Sequence, residues 1–391
     1  MVDFTVSEID QQILDQIRAE GKAGEKYTRY YEDNEEELLK DEFPEAKNFP
    51  PLIEKFARRT ESDTSGATLG MQITMRRAAN AGVPLKQSPG QGLGNAALAA
   101  AGTEEQKRKW SGLTLAMSIT EPGAGSDTKA IQTTATRDGD DYILNGDKIF
   151  VTTGIRCEGV VVWATVDKSL GRAGIKSFMV MKGTPGFEIV RKEKKLGIRT
   201  SDTAAFSFRD CRVPRENVLG GDEEKGKGAG SGAYKGVLKT FNMTRPGVAA
   251  GGIGQAIGAF EFARDALAAE GVEVDWDMAG HNRTAAQQTL IDMEADIEAA
   301  SLVTFRAAWL ADQGASNNLE ASVSKSKGGD VCRTVPQRAM ELLGGMSISH
   351  DHLLEKYLRD GRISDIYEGT GQIQRLIIAR TILGLSSAEL S

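Results

Sequence analysis

The sequence predicts an α+β multidomain protein in which a helical segment precedes a β module and a helical bundle closes the chain. Apolar residues recur at helical spacing early on, alternating and β-branched runs fill the middle, and strand patterns vanish beyond residue 223. At 391 residues the chain is too long for one small core. This segregated order disfavours a doubly wound sheet, which needs strands and helices in alternation.

In the first segment, residues 1–113, Thr5 and Glu8 have capping-box spacing, and Ile9, Ile13, Leu14 and Ile17 then share one helical face. A polar acidic helix is expected over 34–40, stopped by Pro44, Pro50 and Pro51. The Gly-, Ser- and Pro-rich stretch 82–94 reads as loop, and Thr103 caps a further helix beginning Glu104-Glu-Gln-Lys. In the second segment, residues 114–222, positions 131–136 alternate, Asp138-Gly-Asp-Asp141 is a hairpin turn, and Tyr142-Ile-Leu144 returns. Residues 160–166, 175–181 and 205–208 continue the strands, giving an antiparallel barrel or sandwich of about 100 residues. A linker rich in Gly and charge begins at Gly221. The third segment, residues 223–391, carries helical patterns over 248–268, 285–312, 321–343 and 372–383.

Composition excludes several function classes. A net charge of −7 argues against nucleic acid as the main partner, because phosphate neutralisation needs a basic surface, and leaves room for a local basic patch that takes an anionic small molecule. No apolar run approaches the roughly 18 residues of a membrane span, and the acidic N-terminal stretch lacks the apolar core of a signal peptide. Three widely spaced cysteines, Cys157, Cys211 and Cys332, fit a reducing, cytoplasmic setting without a disulfide framework or zinc site. His350-Asp-His352 lacks a third ligand, so no metal is expected.

The candidate chemistry gathers in three motifs. Near the C-terminus, Glu368 sits at a glycine-containing break between two helical patterns, with Gly369 directly after it. Such a break aims a general base into a cavity from a rigid frame and leaves a neighbouring backbone N–H free for an oxyanion. In Met117-Ser-Ile-Thr-Glu-Pro-Gly-Ala-Gly-Ser-Asp127 the glycines permit close backbone approach to a ligand, while Ser118, Thr120 and Ser126 supply hydroxyls. It is no dinucleotide fingerprint, because the third glycine and the βαβ context are missing. Gly252-Ile-Gly254 fails the same test and reads as small residues allowing close helix packing. In Asn145-Gly-Asp-Lys-Ile-Phe-Val-Thr-Thr-Gly154, Phe150 and Thr152 share one face of a strand, a pairing that suits a flat heterocycle or an ordinary strand.

Taken together, Thr103-Glu-Glu-Gln-Lys, Ser118-Ile-Thr-Glu-Pro-Gly-Ala-Gly-Ser-Asp127, Leu196-Gly-Ile-Arg-Thr-Ser-Asp202, Thr244-Arg-Pro-Gly-Val-Ala-Ala250, Leu343-Gly-Gly345 and Ile366-Tyr-Glu-Gly-Thr370 resemble the acyl-CoA dehydrogenase family over residues 102–385. The resemblance implies an N-terminal helical domain, a central antiparallel β-barrel domain and a C-terminal four-helix bundle. It also implies FAD, a tetramer built from dimers, an acyl-CoA substrate and an electron-transferring flavoprotein as electron acceptor. By motif, Glu368 would remove the α-proton of an acyl thioester and Arg245 would support it. Thr244 stands where some relatives carry their base, and it cannot serve. Met117, Ser118 and Thr120 would contact the flavin, Thr152 its N5 edge, and Phe150 its ring face, while Thr370 and Gln372 would meet the adenosine half. Ser126, Tyr234, Leu238, Phe241, Asn242, Tyr367 and Gly369 would line the thioester side.

The chain departs from the family pattern at the diphosphate. Glu273 falls where an arginine is expected, and Glu341 where a glutamine is expected. Acidic side chains oppose a diphosphate. They raise two alternatives: a heterotetramer in which another family member supplies the adenosine-side contacts, or a flavin-poor scaffold subunit.

Overall fold

The computed structural model describes residues 4, 6–35, 66–79, 90, 92–221 and 230–385, although for 26, 27, 67 and 230–243 only the backbone is described. The chain divides into two compact units. One comprises residues 1–84, 196–198 and 242–391; the other comprises 85–195 and 199–241.

The first unit is helical. Its elements are α1 (Glu8–Asp33), α2 (Gly66–Ala78), the later part of α5 (Gly230–Ala269), α6 (Ala285–Asp312), α7 (Asn318–Leu343), α8 (Leu354–Gly361) and α9 (Gly371–Leu383). The α1 cap falls on Ser7, whose Oγ accepts from Asp10 N at 3.2 Å, whereas Thr5 lies outside the described residues. Asp10, Leu14 and Ile17 therefore form the buried side and Ile9 is exposed, which corrects the expected apolar face. Of the polar helix expected at 34–40, residues 36–40 lie outside the described residues. The core is built from Met75, Ile253, Phe260, Leu290, Met293, Ile297, Val331, Val335 and Tyr357, with Ala249, Ala250, Ala256 and Ala259 between them. Small residues are needed there: a Cβ at Gly252 would press on Cys332 and Ser364, and one at Gly254 would collide with the Met75 carbonyl. Gly252-Ile-Gly254 is thus a packing motif.

The second unit is a seven-stranded sheet with two helices, α3 (Leu93–Ala101) and α4 (Glu104–Trp110). Thr103 caps α4 in a full capping box with Gln106. Gly94, expected in a loop, lies inside α3, where a Cβ would strike the backbone of Leu115 and Ala116. The strands are β1 (Leu115–Ser118), β2 (Thr134–Asp138), β3 (Asp141–Thr152), β4 (Gly159–Thr165), β5 (Ile175–Met181), β6 (Phe187–Lys192) and β7 (Thr203–Pro214). They run in the order β1-β4-β2-β3-β7-β6, with β5 on the other edge of β4. The sheet is mixed rather than antiparallel, because β1 and β2 both pair with β4 in parallel. The β2–β3 hairpin intervenes between β1 and β4, so β4 returns in the direction of β1. The register Asp138↔Asp141 confirms the two-residue turn at Gly139-Asp140, with Gly139 at φ +62°. Every residue of β4 is buried. Val160, Val162 and Ala164 join Leu144, Phe178, Phe206 and Phe208 in one core, while Val161 and Trp163 face Leu98, Trp110, Ile175 and Met179 in another. The side-chain alternation of a strand thus places β4 between two apolar layers.

Candidate functional site

Within the helical unit the chain leaves α8 through a 3₁₀ turn, Arg362–Asp365, and reaches Glu368 just before α9. Thr370 caps α9 by accepting from Ile373 N at 3.3 Å, so the helix starts three residues after Glu368. Glu368 has φ +54° and Gly369 φ +95°. Left-handed backbone at a non-glycine residue is strained, and here it coincides with the candidate base. The buried Gln374 closes the turn: its Nε2 donates to Gly369 O at 3.1 Å and Glu368 O at 3.3 Å. Among the described residues, Glu368 N–H makes no bond within the chain.

The carboxylate is held from α5 and α7. Thr244 Oγ1 donates to Glu368 Oε2 at 2.7 Å, so the residue read as unable to serve as base instead orients it. Burial pushes the Glu368 carboxyl above its ordinary range, and the Thr244 hydrogen bond, Lys325 and Arg245 pull the other way. Arg245, the expected support, is buried on α5 and stands in the field of Glu368. Tyr367 and Gly369 flank the base in the same turn, and Lys325 Nζ lies 5.9 Å from the Tyr367 ring centroid. Thr370 is half-buried and Gln372 exposed. The side chains of Tyr234, Leu238, Phe241 and Asn242, on the first part of α5, lie outside the described residues.

In the sheet unit, Ser118 ends β1, and its buried Oγ finds no hydrogen-bond partner among the described residues. A buried hydroxyl without a partner calls for a ligand or water. Thr120 O accepts from Ile149 N at 3.0 Å, and the buried Lys148 Nζ donates to Glu121 Oε1 at 2.8 Å and Ile119 O at 3.0 Å. Glu121 also accepts from Thr133 Oγ1 and from the Gln132 and Thr133 amides. Loop 118–121 is thereby fixed to β3. The register of β3 against β7 slips between Lys148 and Val151, a β-bulge that puts Phe150 at φ +55°. Phe150 is 59% exposed and Thr152 is exposed, while Val151 between them is buried. Met117 is half-buried and Ser126 exposed. An exposed aromatic face, an outward hydroxyl and an orphaned buried hydroxyl fit a flat, hydrogen-bonding ring such as isoalloxazine.

The departures at the diphosphate side stand on exposed positions. Glu341 accepts from Gln337 Nε2 at 3.0 Å along α7, and Glu273 precedes α6. Arg283 and Gln287, the nearby candidates to replace the missing arginine, are bonded locally. Arg283 donates to Trp276 O at 3.0 Å, and Gln287 caps α6 and holds Glu273 O at 2.8 Å.

Lys325, Lys148 and the Thr244 contact were missed by sequence reasoning. Lys325 had a signal: it falls among Ala321, Gly328, Cys332 and Val335 on one helical stripe of small and apolar residues, where a lysine is out of place. Among the described residues no group of three or more His, Cys, Asp or Glu could hold a metal ion, and no helix is long and apolar enough to cross a membrane. His352 instead packs its ring against Phe262.

Residues 116–211 match the family model of the acyl-CoA dehydrogenase middle domain, and residues 234–383 that of the acyl-CoA dehydrogenase C-terminal domain. The chain is 37% identical to the short-chain specific acyl-CoA dehydrogenase of Clostridium acetobutylicum over 296 residues, 72% of this chain and 73% of that protein. It is 28% identical to butyryl-CoA dehydrogenase from Megasphaera elsdenii, with a TM-score of 0.75 over 98% of this chain and 100% of that one. A chain from the electron transferring flavoprotein structure of Acidaminococcus fermentans is 31% identical, with a TM-score of 0.76 over 98% of this chain and 100% of that one.

Proposed function

Because the chain belongs to the acyl-CoA dehydrogenase family, we propose that it oxidises a short-chain acyl-CoA to the trans-2-enoyl-CoA, with Glu368 as the base that takes the α-proton. The observation that carries this reading is Glu368 itself. It is a strained, left-handed residue with its carboxylate oriented by Thr244 and its own N–H unengaged. One carboxylate oxygen is engaged by Thr244, and the other is available for the proton. The N–H is positioned to receive a thioester carbonyl oxygen, whose charge grows as the α-proton leaves. Desolvation raises the carboxyl toward the working pH, which suits a base acting on a weakly acidic carbon. FAD, when bound, accepts the β-hydrogen as hydride. Ser118, Thr120, Phe150 and Thr152 would hold its ring, Thr370 and Gln372 its adenosine half, and Ser126 and Tyr367 would contact the thioester ligand.

We take α5, α6, α7 and α9 as the four-helix bundle of a tetrameric, cytoplasmic enzyme that passes electrons to an electron-transferring flavoprotein; the likeness to the Acidaminococcus fermentans chain supports that acceptor. A second reading, a heterotetramer with another family member, is favoured by Glu273 and Glu341 and by the local bonding of Arg283 and Gln287.

The test is Glu368→Gln. The amide keeps the shape and the Thr244 contact but cannot accept a proton, so flavin and ligand binding should persist while turnover falls by about 10²–10⁴. Substantial remaining turnover would place the base elsewhere. Activity should also fall as acidity rises through the elevated Glu368 pKa, which puts the acid limb of kcat/KM above the ordinary glutamate range.

A further inference from the structure

Lys325 is an expensive residue. It lies on α7 at 1% exposure, among Ser322, Ser324, Gly328 and Gly329, where an apolar side chain would fill the space without desolvating a charge. Among the described residues it forms no ion pair within 4 Å. Its ammonium instead donates to Ser364 O at 2.6 Å and to Gly369 O at 3.4 Å. Those two carbonyls bracket the turn that contains Glu368.

Resting on the reading of Glu368 as base, we propose that Lys325 is a positioning residue. Its ammonium ties the Ser364 and Gly369 carbonyls together, keeps Glu368 in the left-handed conformation that presents its carboxylate to Thr244, and supplies a nearby positive charge. Gln374 reaches only Glu368 O and Gly369 O, and the Ser364 side chain is bonded to Cys332 and Tyr367, so Lys325 is the group that links the Ser364 carbonyl to the Gly369 carbonyl across the turn. The turn is strained at Glu368, the non-glycine residue of its two left-handed positions, and strain persists only where surrounding contacts over-determine the conformation. Electrostatics act in the same sense. The charged and titratable groups around Lys325 are Asp365, Tyr367 and Glu368 from the turn, Arg245 from α5 and Cys332 from α7 itself. Burial is the main influence on Lys325 and brings it down to about 8, with Asp365 and Glu368 opposing that fall and Arg245 adding to it. Lys325 in turn favours the ionised form of Glu368. Removing it should raise the base further and move the acid limb of turnover to higher pH.

The experiment compares FAD-loaded wild type and Lys325→Met by rapid-reaction flavin reduction with butyryl-CoA across pH. We expect the limiting reduction rate to fall on the order of tenfold to a hundredfold from misplacement of the base, with KM little changed and the acid limb displaced upward by about one unit. A merely structural lysine would lower the yield of folded protein and leave that limb in place. The second readout needs neither turnover nor the variant. In wild type labelled at glutamate Cδ, the Glu368 resonance, assigned by its loss in Glu368→Gln, should show a further inflection near the Lys325 pKa of about 8. A variant with wild-type rate and an unmoved limb overturns the proposal. If Lys325→Met does not fold, absence of the second inflection overturns it instead. A wild type that reduces no flavin with any acyl-CoA sinks the functional reading, while the resonance titration still decides whether Lys325 acts on Glu368.

Discussion

Glu368 shows a conflict between stability and use in a single residue. Its backbone is strained and its carboxyl is desolvated, and neither helps the fold. The sign of the linkage follows from the direction of the shift. A carboxyl raised in the folded state favours its neutral form there, so its contribution to stability is present below the ordinary glutamate pKa and is lost as pH rises through the folded value. Glu368→Gln is neutral at every pH and retains an oxygen for Thr244. The substrate-free variant should therefore be more stable than wild type at neutral pH, with the gap closing toward acid; urea midpoints from pH 4 to 8 would show it. A constant gap would mean that Lys325 and Arg245 compensate the charge fully. The identity of this residue was legible in sequence from its glycine-flanked break. Its left-handed turn was not, because Lys325 and Gln374, which secure that turn, are 43 positions before it and six after it in the chain.

Elements whose signal is local were legible. Residues 285–312 read as a helix and are one, and the β-branched runs at 160–166 and 175–181 are β4 and β5. The sequence pattern puts a helix over 248–268, yet α5 runs from Gly230 and passes through Pro246, tertiary context overriding the rule that a proline is disfavoured in a helix interior. The parallel pairing of β1 and β4 escaped sequence reasoning because strand order depends on contacts far apart in the chain. The bulge in β3 escaped it too, since Ile149 and Phe150 look like ordinary strand residues. What anchors that region is the Lys148–Glu121 pair, at 0% and 5% side-chain exposure. Lys148→Met would leave Glu121 buried without its cation and should cost about 3–5 kcal/mol. Lys148→Met with Glu121→Gln keeps an oxygen for one of the two amides, which donate to different Glu121 oxygens, and removes the stranded charge, so it should recover part of that loss in urea unfolding. A double variant no more stable than the single one would show that the pair acts through geometry rather than charge.

At the scale of the whole molecule, the open question is how a chain with acidic residues at the expected diphosphate contacts holds FAD. Glu273 and Glu341 are both exposed in the single chain. In a homodimer each would add like-charge repulsion at a partly buried diphosphate, on the order of 1–3 kcal/mol apiece. Arg283 and Gln287 offer no ready compensation while they hold Trp276 O and Glu273 O, because recruiting them would open the start of α6. The purified chain should therefore bind FAD weakly. Glu273→Arg and Glu341→Gln should each tighten binding by roughly five- to hundredfold, the equivalent of 1–3 kcal/mol, and a partner subunit carrying the arginine and glutamine should do the same for the unmodified chain. Titrating FAD into the wild type, the two variants and the co-purified complex measures all of this at once. A tight, stoichiometric homotetramer–FAD complex whose dissociation constant neither substitution changes would remove the heterotetramer reading and show that the diphosphate does not meet Glu273 or Glu341.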